Sequence, residues 1–244
     1  MKSGLDNLPQ NVQEVLADFL ETVKAESGSN LISIVLYGSA AEGRLRAASD
    51  VNLMLVFNEF NHSQIEGMRE KFRIAHAAIN LNIMFILETE IPTASEAFAV
   101  KFTDIIHRHI VLHGVSPFSK LNISREATLS RLNQVIINLM LRLRERFVLL
   151  SLREEQLIPV IADVTGPIRA CAATILNLEG GSQVHPKEAL QALTLKFQGN
   201  WEETLKNMSV AREEMDLSPG KAAATLLGQL DLLEAMQTYT KRLN

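Results

Sequence analysis

Two short stretches decide the fold: LISIVLYGS at residues 31–39 and SDVNLMLVF at residues 49–57. Each contains an apolar run rich in β-branched and large aliphatic residues, with sharp polar or glycine boundaries. That pattern predicts two buried strands, Leu31 to Tyr37 and Val51 to Phe57. Gly38-Ser39 closes the first strand, and a short helical stretch is expected after it. A glycine at that point lets the backbone approach a ligand, a serine hydroxyl can donate, and helix N-terminal amides attract anions. Asp50 opens the second strand, so its carboxylate is expected to face a phosphate held at Ser39.

Gly38-Ser39, a spacer of ten residues, and then Asp50-Val51-Asn52-Leu53 resemble the signature of the nucleotidyltransferase superfamily, the polymerase-beta-like proteins. Gly43 in the spacer also fits. The resemblance covers roughly the first half of the chain. It implies an α+β N-terminal domain with a mixed sheet, and the rest of the chain is expected to form an all-α helical bundle. It also implies transfer of a nucleoside monophosphate from ATP or another nucleoside triphosphate to a hydroxyl on a small molecule or a protein. Gly38, Ser39 and Arg44 would hold the nucleotide, and Asp50 would bind Mg2+. Asp50 and Asn52 occupy the positions of the first two catalytic carboxylates.

The departure lies at Asn52, which keeps an acceptor oxygen but has no charge. In the family a third carboxylate comes from a neighbouring strand. The expected strand, Ile79 to Leu87, offers Asn80 and Asn82 on one face and no acid before Glu88. Hard divalent cations need carboxylate oxygens, and two-metal phosphoryl chemistry needs several of them. Glu88 or Glu59 is a substitute only if a strand shifts or a loop folds inward. Two functions therefore stand side by side: an impaired nucleotidyltransferase, and a non-catalytic nucleotide-binding regulator or antitoxin-like partner protein. Glu42 stands where the family commonly has arginine. Arg44 and Arg46 read equally as phosphate contacts and as solvated charges.

The 244 residues suffice for two domains, and a Pro/Gly-punctuated boundary near Val115-Ser116-Pro117 divides residues 1–116 from 117–244. A net charge of −4 implies no broad basic face for nucleic acid. The single cysteine, Cys171, excludes an internal disulfide framework and suits a cytoplasmic protein. The N-terminus is polar, without an apolar signal core. Val135 to Leu152 reads as the most apolar long segment, but Arg142, Arg144 and Arg146 interrupt it, so no membrane span is expected. A homo-oligomer is compatible with the sequence.

Helical spacing predicts helices from Pro9 to Glu26, Ser63 to Ile79 and Pro92 to Ile106, with a short strand from His109 to Leu112. Beyond Pro117 only helices are expected: Ser124 to Glu155, Val160 to Asn177 with a kink or split at Gly166-Pro167, Pro186 to Phe197, Trp201 to Met215, and Pro219 to Leu243. His107, His109 and His113 cross a helix-to-strand transition, which argues against a shared zinc site. Asp104 and Arg108 are spaced for an ion pair. Arg142 and Arg146 read as a solvated or inter-domain face. His185, beside Pro186, has no arginine at the spacing of a HEPN ribonuclease. Cys171 sits among alanines and reads as core.

Overall fold

The computed structural model of the chain describes residues 5–46, 49–181 and 184–243. It divides into two compact units. The first runs to Glu96 and includes Phe102–Asn122; the second takes Ala97–Lys101 and everything from Ile123 onward.

The first unit holds a mixed four-stranded sheet. Its strands are β1 (Leu31–Tyr37), β2 (Val51–Phe57), β3 (Leu81–Leu87) and β4 (His109–Gly114), in the spatial order β3-β2-β1-β4. β1 runs antiparallel to both β2 and β4, and β2 runs parallel to β3. The parallel step needs a crossover, supplied by α2 (His62–Ile79); α1 (Gln10–Ser27) precedes the sheet. One sheet face carries Ile34, Leu36, Val51, Leu53, Leu55, Phe57 and Leu81. These form a single core with Leu16, Phe19, Leu20 and Val23 of α1 and Met68 and Ala75 of α2. Strand periodicity turns Val35, Met54 and Val56 to the opposite face, and they are fully buried as well. A sheet covered on both faces explains why β1 and β2 read as continuous apolar runs rather than alternating ones.

Local chemistry sets the boundaries. The Asn61 side chain caps α2 by accepting a hydrogen bond from the Gln64 amide at 3.2 Å. Asn80 ends the helix in the left-handed region, with φ of 49°. Asn80 is therefore a cap and not a strand residue, and β3 starts at Leu81 instead of Ile79. The helix expected over Pro92 to Ile106 is two helices, α3 (Ile91–Ala97) and α4 (Ala99–His107), separated at the exposed Phe98. Nothing in the surrounding sequence accounts for that break.

The second unit is a helical bundle of α5 (Arg125–Leu150), α6 (Leu157–Leu178), α7 (Pro186–Thr194), α8 (Glu202–Glu214) and α9 (Ala222–Thr240). α6 packs against all four others and contributes Ile161, Val164, Ile168, Cys171 and Ile175 to the core. It runs as one helix through Pro167, so Gly166-Pro167 does not split it. An interior proline costs roughly 3 kcal/mol, and the burial of an apolar helix on most sides outweighs that. The most apolar long helix is thus α6 and not Val135–Leu152. The stretch Glu154–Leu178 is long and apolar enough to cross a membrane by length and composition, yet 67% of its 18-residue apolar window is buried inside the protein. Its apolarity is that of a core helix.

Gly114 closes β4 opposite Ser33 with φ of +75°, and a Cβ there would overlap the Ile32 carbonyl oxygen. Gly114→Ala is expected to destabilise the first unit by about 1–3 kcal/mol, read as a lowered midpoint in urea unfolding.

Candidate functional site

Strand register assembles a row of polar side chains. Tyr37 pairs with Asn52 on one side and with His109 on the other, and Asn52 pairs with Asn82. Residues in register share a face, so Asn82, Asn52, Tyr37 and His109 cross the whole sheet near one end, on the face away from α1 and α2. Gly38-Ser39 follows the end of β1 and Asp50 precedes the start of β2, so both flank this end of the sheet. Asp50 is exposed and Ser39 half-buried.

Gly38 takes φ of +76°, and its N–H donates to the Arg108 carbonyl at 2.9 Å. A Cβ on Gly38 would come within 3.9 Å of Asn52 Nδ2, so the amide of Asn52 reaches to the turn itself. Asn52 Nδ2 also donates to the Asp50 carbonyl at 3.4 Å. Asn52 thus lies next to Gly38 and Asp50, and Arg44 is in the turn after β1, where its N–H donates to the Ser39 carbonyl.

The helical stretch expected after Gly38-Ser39 is absent among the described residues. Glu42 N–H donates to the Gly38 carbonyl at 3.3 Å, Gly43 N–H to Ala40 at 3.1 Å, and Arg44 N–H to Ser39 at 2.9 Å. These closures span four, three and five residues, so they build successive turns and not a regular helix. Gly43, with φ of +67°, reverses the chain. Any anion here meets individual turn amides and the serine hydroxyl, without a helix dipole behind them.

Arg108 locks this turn in place. Its Nε donates to Asp104 Oδ1 at 2.8 Å, a second guanidinium nitrogen bonds Asp104 Oδ2, and the third reaches Glu42 Oε2 at 3.0 Å. The three side chains are 20–24% exposed. The Asp104–Arg108 pair was legible from spacing; the Glu42 contact, 66 residues away, was not. Burial alone would lower the arginine's pKa, but hydrogen bonds and charge from Asp104 and Glu42 reverse this, and the net shift is upward. Burial first, and then the Asp104 charge, push the Tyr37 phenol up to about 12, so it stays neutral. Burial likewise lowers the pKa of His107, against the pull of Asp104.

Asn52 and Asn82 stand side by side, so both positions nearest Asp50 on these strands are amides. Glu88 follows the far end of β3 and Glu59 the far end of β2. At about 3.3 Å per residue, each lies roughly 20 Å along the sheet from the amide row, too far to substitute. Among the described residues no group of three or more His, Cys, Asp or Glu side chains could hold a metal ion. The donor set, one carboxylate and two amide oxygens, does not fit a two-metal centre. His109 and His113 share β4, but a register shift after Ile34 and Val35 sets His113 opposite Ile34, while His109 faces Tyr37.

In the second unit, Arg142 pairs with Asp163 at 3.6 Å and Arg144 with Glu234 at 2.9 Å, both within the bundle. His185 caps α7, its Nδ1 accepting from the Lys187 amide at 3.2 Å. Cys171 is fully buried, and burial pushes its thiol up to about 12.

This architecture, a mixed four-stranded sheet followed by a helical bundle, is the nucleotidyltransferase fold. No protein-family model and no curated protein matches the sequence. Among solved structures, a spectinomycin adenyltransferase from Enterococcus faecialis, determined with ATP and spectinomycin, is similar with a TM-score of 0.61. The match covers 93% of this chain and 98% of that one at 14% identity, and it shows the shared fold.

Replacing Arg108 with leucine removes the guanidinium that Asp104 and Glu42 share. Arg108→Leu is expected to lower stability by about 2 kcal/mol in chemical unfolding, discounted for partial exposure, and Glu42→Gln in the same chain to recover part of it.

Proposed function

We propose that the chain is a nucleoside-triphosphate-binding module that keeps the nucleotidyltransferase fold without two-metal transfer, and that it serves as a regulator or partner of another protein. The observation that carries this reading is the adjacent pair Asn52 and Asn82. At about 4 Å and an effective dielectric near 20, a dication and a carboxylate attract by about 8 kcal/mol before desolvation. Two missing charges remove most of what holds a second ion. Asp50 accepts at most one Mg2+. Gly38 and Ser39, with the turn amides and Arg44, hold the phosphates. The neighbour determined with ATP supports a nucleotide ligand for this fold. Without a bound metal pair, neither the attacking hydroxyl nor the leaving pyrophosphate is stabilised.

The retained Asp50 supports a second reading, slow transfer of a nucleoside monophosphate to a small-molecule or protein hydroxyl. An assay with α-labelled ATP and a panel of small hydroxylated acceptors separates the two. The wild-type chain is expected to bind ATP in calorimetry and to transfer no label. Asn52→Asp combined with Asn82→Glu is expected to tighten Mg2+-ATP binding by tenfold or more. Label transfer by the wild-type chain would overturn the binding-module reading, and unchanged Mg2+-ATP affinity in the double variant would mean that the cleft lies elsewhere.

A further inference from the structure

One residue holds the turn after β1 from both ends. The carbonyl of Arg108 accepts from the Gly38 N–H at 2.9 Å, and its guanidinium donates to Glu42 Oε2 at 3.0 Å. The other two guanidinium nitrogens bond Asp104, four residues earlier on α4, so the anchor is rooted in a helix. Between the two anchors lie Ser39, Ala40 and Ala41. Among the described residues their N–H groups donate to no acceptor, whereas those of Gly38, Glu42, Gly43 and Arg44 are all used. The amides left for a ligand are the three that Arg108 brackets. Ala40 is 2% exposed and joins the core shared by α1 and the sheet, which attaches the arc at a third point.

Arg108 itself is a poor phosphate ligand. All three nitrogens of its guanidinium have carboxylate acceptors, and the Glu42–Arg108–Asp104 cluster carries a formal charge of −1. A triphosphate gains no net attraction from such a group. What the cluster supplies is a fixed backbone. Ordering a loop opposes binding, so a ligand that meets an arc already held loses no affinity to that step.

Granted the nucleotide-binding reading above, on which this rests, we propose that Arg108 is a positioning residue for the nucleotide. It fixes residues 38–42 between its carbonyl and its guanidinium, with Glu42 as the handle, and leaves the amides of Ser39, Ala40 and Ala41 to the phosphates. Arg108 acts through the turn and touches no phosphate.

Calorimetric titration of the full chain with ATP, joined to amide hydrogen exchange at Glu42, Gly43 and Arg44 in the free chain, tests this. Glu42→Ala leaves the Asp104–Arg108 pair in place and detaches the turn from it. It is expected to weaken ATP binding about tenfold and to speed exchange at those three amides, with β1 and β2 protected as in the wild type. Glu42→Gln keeps an acceptor oxygen for the guanidinium and is expected to stay within about twofold of the wild type on both readouts. Arg108→Lys, whose ammonium lacks the fork that spans both carboxylates, is expected to fall between the two. A wild-type chain that binds ATP while Glu42→Ala binds it equally well would overturn the positioning role alone. So would tighter binding by both Glu42 variants, since Glu42 would then act on the phosphates by its charge. A wild-type chain that binds no ATP would overturn the binding-module reading and the positioning role with it.

Discussion

The pairing of β2 between β1 and β3 governs everything at the candidate site. Once Leu36 is opposite Leu53 and Leu55 beside Phe85, a shift of β2 by one residue would exchange its two faces and carry Asn52 into the core against α1 and α2. The polar row is a consequence of that constraint. Tyr37, Asn52, Asn82 and His109 come together because their neighbours along each strand must bury themselves against α1 and α2. A site made in this way is rigid on the strands and adjustable only at the turns between them. Its chemistry is therefore set by which side chains the register delivers.

Three of those side chains carry no charge. Asn52 and Asn82 offer oxygens without charge, and the phenol of Tyr37 stays protonated up to about pH 12. The strong charges nearby belong to the Asp104–Arg108–Glu42 cluster, where one guanidinium serves two carboxylates and its backbone carbonyl also holds Gly38. This cluster stabilises the turn after β1 and carries a formal charge of −1. It makes no contribution that replaces a metal pair. The fold is shared with a spectinomycin adenyltransferase, while the strand positions to which the sequence resemblance assigns metal-binding acids carry amides.

Much of this was legible in residues close together in sequence. Gly38-Ser39, the spacer and Asp50-Val51-Asn52 lie within fifteen residues, so the strands, the turn and the substituted carboxylate could be read directly. What depended on tertiary pairing was not. The neighbour of Asn52 could not be fixed as Asn82 until β3 was placed, and Asn80 reads as a strand residue until its left-handed φ is known. The partner of Glu42 lies 66 residues away. A helix was expected after Ser39 from the polar spacer alone, but the closures there alternate in span and Gly43 turns the chain. Gly166-Pro167 was expected to kink or split a helix that is not split there.

The central claim is that the amide row leaves room for no more than one divalent ion with a bound nucleotide. Electron paramagnetic resonance titration of Mn2+ into the wild-type chain, saturated with a non-hydrolysable ATP analogue, counts those ions directly. The register predicts at most one Mn2+ per chain, with no spin–spin coupling between ions. Two Mn2+ per chain with the coupling of a close pair would contradict it.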